Sequence, residues 1–240
     1  MAILNNNIKK YLDDGLCILK LFNKKESIYL KNYAENWIYN LTKISKNDRH
    51  LYPINQYHVW SKKLNINHSQ ICNSKNRYRY PNNEIKKIIF KNQKILFFLN
   101  NIGINKHKIW DDGWGWLGFR LIRPKKNDGY PFSCKSWGIA KDVISFWCPV
   151  IGYTNSDTLS LIKKSNHKEY KNYLPKNSKF TQGEKRLSKK YTNLKIYNPR
   201  LNQGEVIIYS PRTLHSENND KCNKTRFNLE FRINPHKNAL

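Results

Sequence analysis

GEVIIYSPRTLHSENNDKCNKTRFNLEFRI, residues 204–233, is the stretch whose reading decides the fold. Two strands can be read from it. In the first, Val206, Ile207, Ile208 and Tyr209 run into a Ser210-Pro211 turn and on to Leu214-His215. In the second, Phe227, Leu229, Phe231 and Ile233 alternate with Arg226, Asn228, Glu230 and Arg232. Side chains on a strand alternate with a period of two, so the apolar set faces a core and the polar set faces a shared space. A His closing one strand and an Arg opening the next, eleven residues on, suit a cavity that holds a metal and a carboxylate together.

Outward from this stretch, short strands recur with Pro, Gly and Asn between them. They read as Phe119–Arg123, Val143–Trp147, Leu159–Ile162, Gly204–Tyr209 and Arg226–Ile233. Such spacing predicts a two-sheet jelly roll. Residues 8–45 read as helical at both ends with a strand between, where alternating apolar residues follow Gly15. Ile28, Leu30, Tyr33, Ala34, Trp37, Ile38 and Leu41 form one apolar stripe of helical period. Residues 84–101 read as a further helix, with Ile85, Ile88, Ile89, Ile95, Leu96 and Leu99 apolar. Residues 47–83 are polar, aromatic and rich in turns, and give no assignment. No linker or repeat separates a second unit. The expectation is one domain over residues 1–240: a helical region to about 113, then a jelly-roll core over about 114–235.

The chain has 240 residues, 39% of them hydrophobic and 13% aromatic, which suits a folded domain with a large core. No segment approaches the roughly 20 consecutive apolar residues of a membrane span. The opening MAILNNNIKKYLDDG lacks the apolar stretch of a secretion signal. The five Cys are odd in number, scattered and never spaced C-x-x-C, a pattern expected of free thiols in a reducing cytoplasm. The net charge of +27 raises nucleic acid as a partner. Lys, however, outnumbers Arg about three to one and comes with abundant Asn and Ile, a mixture that A- and T-rich codons produce by themselves. Residues 163–195 are densest in Lys, with Tyr170, Tyr173, Phe180 and Tyr191 interleaved. The region reads either as a solvated loop or as a lid that attracts an anionic substrate.

The 204–233 stretch resembles the C-terminal signature of the phytanoyl-CoA dioxygenase family of Fe(II)/2-oxoglutarate oxygenases. The resemblance places that family's last iron-binding His at His215. It places the Arg that clamps the far carboxylate of 2-oxoglutarate at Arg226, with Asn228 two residues on as a further cofactor contact. Upstream, RPKKNDGYPFSCKSW (residues 123–137) puts Arg123, Pro124, Asp128, Pro131 and Trp137 where the family carries Arg-Pro, Asp, Pro and an aromatic. The family's His-x-Asp pair is missing, and its two places hold Ser133 and Lys135. Ser165-Asn166-His167-Lys168 is similar to a Gly-Ser-His-Lys loop of the family, in which the His is structural. What the resemblance implies is an α+β, β-rich chain built on a double-stranded β-helix (a cupin-like jelly roll) with flanking N-terminal helices. It also implies hydroxylation of a small anionic metabolite with 2-oxoglutarate and O₂, with Trp137 and Arg123 toward the substrate.

The altered positions leave several readings open. Iron of this type takes two His and one carboxylate, whereas a Lys ammonium has no lone pair and repels a divalent cation. Ser133 and Lys135 are two apart, as are His215 and Glu217, so each pair shares a face of an extended segment. In one reading Lys135 replaces the metal as the cation, pairing with Glu217 and bonding Ser133 or His215. In a second, a metal persists on His215 and Glu217 with Cys134 or Asp128 as third donor. In a third the site is vestigial. A metal-free enzyme is a fourth, with Lys135 as base or Schiff-base nucleophile beside Ser133. Arg226 reads as an anion clamp or as an ion-pair partner of Glu230 or Glu217, and Trp114, Trp116 and Trp137 as core. Beside an oxygenase stand two other classes: a metal-free small-molecule relative using Lys135, His215 and Glu217, and a basic nucleic-acid-binding module.

Overall fold

The computed structural model describes residues 2–72, 81–104, 108–109, 117–126, 128, 132–135, 143–154, 157–167, 184–186, 194–217 and 222–234. Trp114, Trp116, Trp137, Pro131 and most of the Lys-rich region lie outside them, as do the side chains of Ser133, Cys134 and Lys135.

The alternation in 226–233 is realised as a strand, β10 (Arg226–Asn234), at the heart of an antiparallel sheet. On one edge β10 pairs with β5 (Ile144–Ile151), and on the other with β3 (Gly118–Ile122) and β2 (Lys108–Ile109). Beyond β5 lie β8 (Glu205–Tyr209) and then β1 (Leu16–Lys20), giving six strands. A second antiparallel sheet runs β6 (Ser160–Leu161), β9 (His215–Ser216), β4 (Ser133–Lys135) and β7 (Glu184–Arg186). Neighbours in both sheets are distant in sequence, so hairpin turns do not set the register. The two-faced patterns do.

One face of the large sheet is apolar and carries the helices. Cys17, Leu19, Phe119, Leu121, Phe146, Cys148, Val206, Ile208, Phe227, Leu229, Phe231 and Ile233 join one buried core with Leu30, Ala34, Trp37 and Ile38 of α2 (Lys24–Thr42). Phe146 and Phe231 stack with centroids 4.5 Å apart, and Trp37 meets Phe227 edge-on at 5.6 Å. Asn23 and Glu26 form a reciprocal cap that starts α2. The predicted stripe holds, except that Ile28 is exposed. The strand after Gly15 is β1, preceded by α1 (Ala2–Asp14). The unassigned region folds as two 3₁₀ turns (49–51 and 54–56), α3 (Tyr57–Lys63) and α4 (His68–Ile71). Residues 84–101 are not one helix but two, α5 (Asn83–Phe90) and α6 (Gln93–Asn101). The break is at Asn92, whose side chain accepts from the amides of Lys94 and Ile95 and so begins a new helix. Among the described residues no helix is long and apolar enough to cross a membrane.

The opposite face of the large sheet looks at the small one. Leu16, Trp147, Ile207 and Tyr209 pack there against Leu161 of β6 and against Leu159. Beside this second cluster, and on the same face, lies the polar half of β10.

Candidate functional site between the sheets

Because odd and even positions of β10 part to opposite faces, Arg226, Asn228, Glu230, Arg232 and Asn234 form a row in the space between the sheets. Register adds Arg120, the Cα partner of Asn228 on β3, and Trp147, the partner of Glu230 on β5. Glu217 enters from the other side, one residue past β9.

These groups form one hydrogen-bonded network. Glu217, with 3% of its side chain exposed, accepts at Oε1 from the Trp147 indole N–H (2.9 Å) and from Asn228 Nδ2 (3.1 Å). Its Oε2 lies 3.3 Å from Arg120 Nη1. Arg120 Nε reaches Glu230 Oε2 at 2.9 Å, and Asn228 Nδ2 also donates to Glu230 Oε1 at 3.0 Å. The Tyr153 hydroxyl donates to Asn228 Oδ1 at 3.0 Å, so each polar end of that amide is used. Arg226 Nη2 donates to the Glu217 carbonyl at 2.8 Å, and Nη1 to the Asp157 carbonyl at 2.5 Å. Its guanidinium sits over the Tyr153 ring, 5.2 Å from the centroid. Among the described residues, the buried Arg226 Nε has no hydrogen-bond partner.

Two carboxyls this close cannot both ionise without cost. Burial and the charge of Glu230 push the Glu217 carboxyl well above the usual carboxylate range, against the pull of Arg120. Burial alone would raise Glu230 too, but Arg120, the proton shared from Glu217, Arg232 and His215 together hold it below that range. The two shifts run in opposite directions, Glu217 upward and Glu230 downward, and the pair titrates as a unit. Arg120 and Arg232 both act on Glu230, and Arg226 stands in the same inward row of β10. The described wall of the space is net positive.

His215 lies on β9 with its Cα opposite Ser133 of β4, so the register brings together the backbones of two positions expected to meet. Its Nδ1 is 2.8 Å from the Thr213 carbonyl, and its ring lies against Tyr209 with centroids 4.8 Å apart. Lys135 pairs in register with Glu184. The expected Lys135–Glu217 ion pair has to compete with what Glu217 already holds, namely Arg120, Trp147 and Asn228. Arg226 meets the backbone carbonyl of Glu217 and not its carboxylate. Asp128 and Arg123 are committed to each other: Arg123 Nε and Nη2 grip Oδ2 and Oδ1 at 2.7 and 2.8 Å. Arg120 and Arg123, three residues apart, thus serve separate clusters. Arg120, Trp147 and Tyr153 were not among the expected site residues. The only sequence signal for Arg120 was its inward parity on β3.

The family resemblance read from the sequence implies Fe(II), and the donors can be tested against it. The positions that the resemblance aligns with its ligands hold Ser133, Lys135 and His215, of which only His215 is a metal donor of the required kind. Glu217 has both carboxylate oxygens engaged by N–H donors. Among the described residues no group of three His, Cys, Asp or Glu converges to hold a metal. This donor set does not fit the 2-His-1-carboxylate centre.

No family model matches the chain, and no curated protein matches its sequence. Solved structures do match its fold. AviO1 from Streptomyces viridochromogenes is 10% identical, with 98% of this chain and 96% of that one covered and a TM-score of 0.58. The epimerase SnoN, solved in complex with Fe3+, alpha ketoglutarate and nogalamycin RO, is 11% identical over 97% of this chain and 84% of its own, with a TM-score of 0.59. The non-heme, alpha ketoglutarate dependent carbocyclase SnoK is 9% identical over 95% and 83%, with a TM-score of 0.54. At these identities the chain shares a fold with non-heme, alpha ketoglutarate dependent enzymes.

Proposed function

We propose that this chain is a divergent relative of the phytanoyl-CoA dioxygenase-like oxygenases, with their double-stranded β-helix kept as one domain and their iron centre lost. It binds a small anionic metabolite between its two sheets and acts on it with protein groups. The observation that carries this reading is the inner row of β10 with its partners: Arg120 and Arg232 act on Glu230, and Arg226 lies in the same row. A planar carboxylate suits such a wall, because a guanidinium meets it with paired N–H donors. The unused Nε of Arg226 adds a donor at the place where the family resemblance puts the cofactor carboxylate. The raised Glu217 carboxyl would serve as a proton donor, and Lys135, two residues along β4 from the Ser133 that pairs with His215, would add a further cation or base.

A second reading, iron-dependent oxygenation with 2-oxoglutarate, is favoured by the fold shared with SnoN, which was solved with Fe3+ and alpha ketoglutarate, and with the alpha ketoglutarate dependent SnoK. Two measurements separate them: metal content after expression in iron-rich medium, and calorimetric titration with 2-oxoglutarate. The metal-free reading expects no stoichiometric iron, and carboxylate binding that chelator leaves intact. It also expects iron binding to appear in the double variant Ser133→His, Lys135→Asp. One tightly held iron per wild-type chain would overturn it.

A further inference from the structure

Thr225, the residue before Arg226, is wholly buried and tied to the helical region through both its amide and its hydroxyl. Its N–H donates to the carbonyl of Asn55, in the 3₁₀ turn 54–56, at 2.8 Å. Its Oγ1 accepts the backbone N–H of His58 at 3.1 Å and lies 2.9 Å from His58 Nδ1. Gln56, at the start of α3, gives that helix no side-chain cap of its own. A hydroxyl 167 residues away in the chain takes the amide instead.

We propose, resting on the reading of Arg226 as the anion contact, that His58 is a positioning residue of that site: acting through Thr225, it fixes where Arg226 presents Nε. The hydrogen bonds run in one direction. Oγ1 accepts the His58 amide, so its own hydrogen can be donated to the ring. A neutral imidazole with its proton on Nε2 offers the Nδ1 lone pair to that hydrogen. Burial lowers the His58 pKa, which favours the neutral ring. The Thr225 hydroxyl is thus held at both ends, one residue before Arg226.

The sheet holds Arg226 less firmly than the residues after it. β10 begins there, and its register against β5 shifts between Phe227 and Asn228. On the β3 side Arg226 pairs with Ile122 at the last rung of that ladder. At the other end of the side chain, each Nη already donates to a carbonyl, of Asp157 or of Glu217. Nε is the donor left without a partner among the described residues. A hydrogen bond weakens steeply once its distance and angle depart from the favoured range, so a shift of the Arg226 backbone is felt by a ligand at Nε.

The test is calorimetric titration of the full-length chain with 2-oxoglutarate in buffer containing EDTA. His58→Leu should raise Kd about fivefold, as expected for one lost hydrogen bond. His58→Asn keeps a side-chain acceptor in the place of Nδ1 and should bind within about twofold of wild type. Combined with Arg226→Met, His58→Leu should change Kd no further than Arg226→Met alone, because its effect passes through the guanidinium. Three results would overturn the proposal and leave the anion reading standing: an unchanged Kd in His58→Leu, an equal loss in His58→Asn, or the same loss with and without Arg226. No binding by wild type would overturn both. Should His58→Leu not fold by circular dichroism, Thr225→Val removes the same bond from its other side and is judged by the same limits.

Discussion

Arg120→Met removes a cationic side chain that touches both carboxyls of the inter-sheet network. Its Nε is 2.9 Å from Glu230 and its Nη1 3.3 Å from Glu217, with 19% of the side chain exposed against 15% and 3% for the two acids. Methionine fills much of the same volume, so the loss is electrostatic more than steric. Breaking a buried ion pair by removing one partner costs about 3–5 kcal/mol. The partial solvent access at Arg120 and Glu230 lowers this to about 2–3 kcal/mol. For a chain of this size each kcal/mol moves Tm by about 2–4 °C, so a fall of about 5–10 °C is expected at pH 7. The assay is thermal and urea unfolding followed by circular dichroism, on wild type, Arg120→Met, Glu230→Gln and the double variant. If Arg120 acts through Glu230, the double variant should be less destabilised than the sum of the singles by more than about 1 kcal/mol. Strictly additive effects, or a Tm change below about 2 °C, would refute the network as described.

Other outcomes follow from the same contacts. Glu217 is protonated in the fold above the pH at which it ionises when unfolded, so its contribution is present at low pH and lost as pH rises from about 4.3 toward its raised folded value. Glu217→Gln, which mimics the protonated acid, should therefore gain stability relative to wild type as pH goes from 5 to 8. Parallel stability curves would contradict the shift. Trp147→Phe strips Glu217 Oε1 of an indole donor inside the protein and should cost about 1–3 kcal/mol, read by urea unfolding. Gly152 has φ +78°, and an added Cβ would come within 1.9 Å of the Thr225 carbonyl, immediately before Arg226. Gly152→Ala should destabilise by at least about 2 kcal/mol, since both the backbone conformation and the contact resist it.

The residues from 204 to 233 revealed most of what positions the site. Alternation alone separated Phe227, Leu229, Phe231 and Ile233 from Arg226, Asn228, Glu230 and Arg232, and the two sets do line opposite faces. The strand after Gly15 and the helix after Asn23 were legible for the same reason, a clean period. What stayed hidden was long-range pairing. Nothing local says that Arg120 lies across from Asn228, or that Glu217 reaches Trp147, because those contacts span 70 to 97 residues or rest on sheet register. Without that register, Lys135 is the natural partner for Glu217, and Arg120 carries no local mark of its role. The helix break at Asn92 was missed for a different reason. The apolar spacing of Ile88, Ile89, Ile95 and Leu96 continues across it, and only the Asn cap interrupts the backbone.

The most direct test of the anion-binding, iron-free reading is isothermal titration of the purified chain with 2-oxoglutarate in buffer containing EDTA. Saturable one-to-one binding is expected, weakened at least tenfold in Arg226→Met. Binding that appears only when Fe(II) is supplied, or none at any concentration up to millimolar, would contradict it.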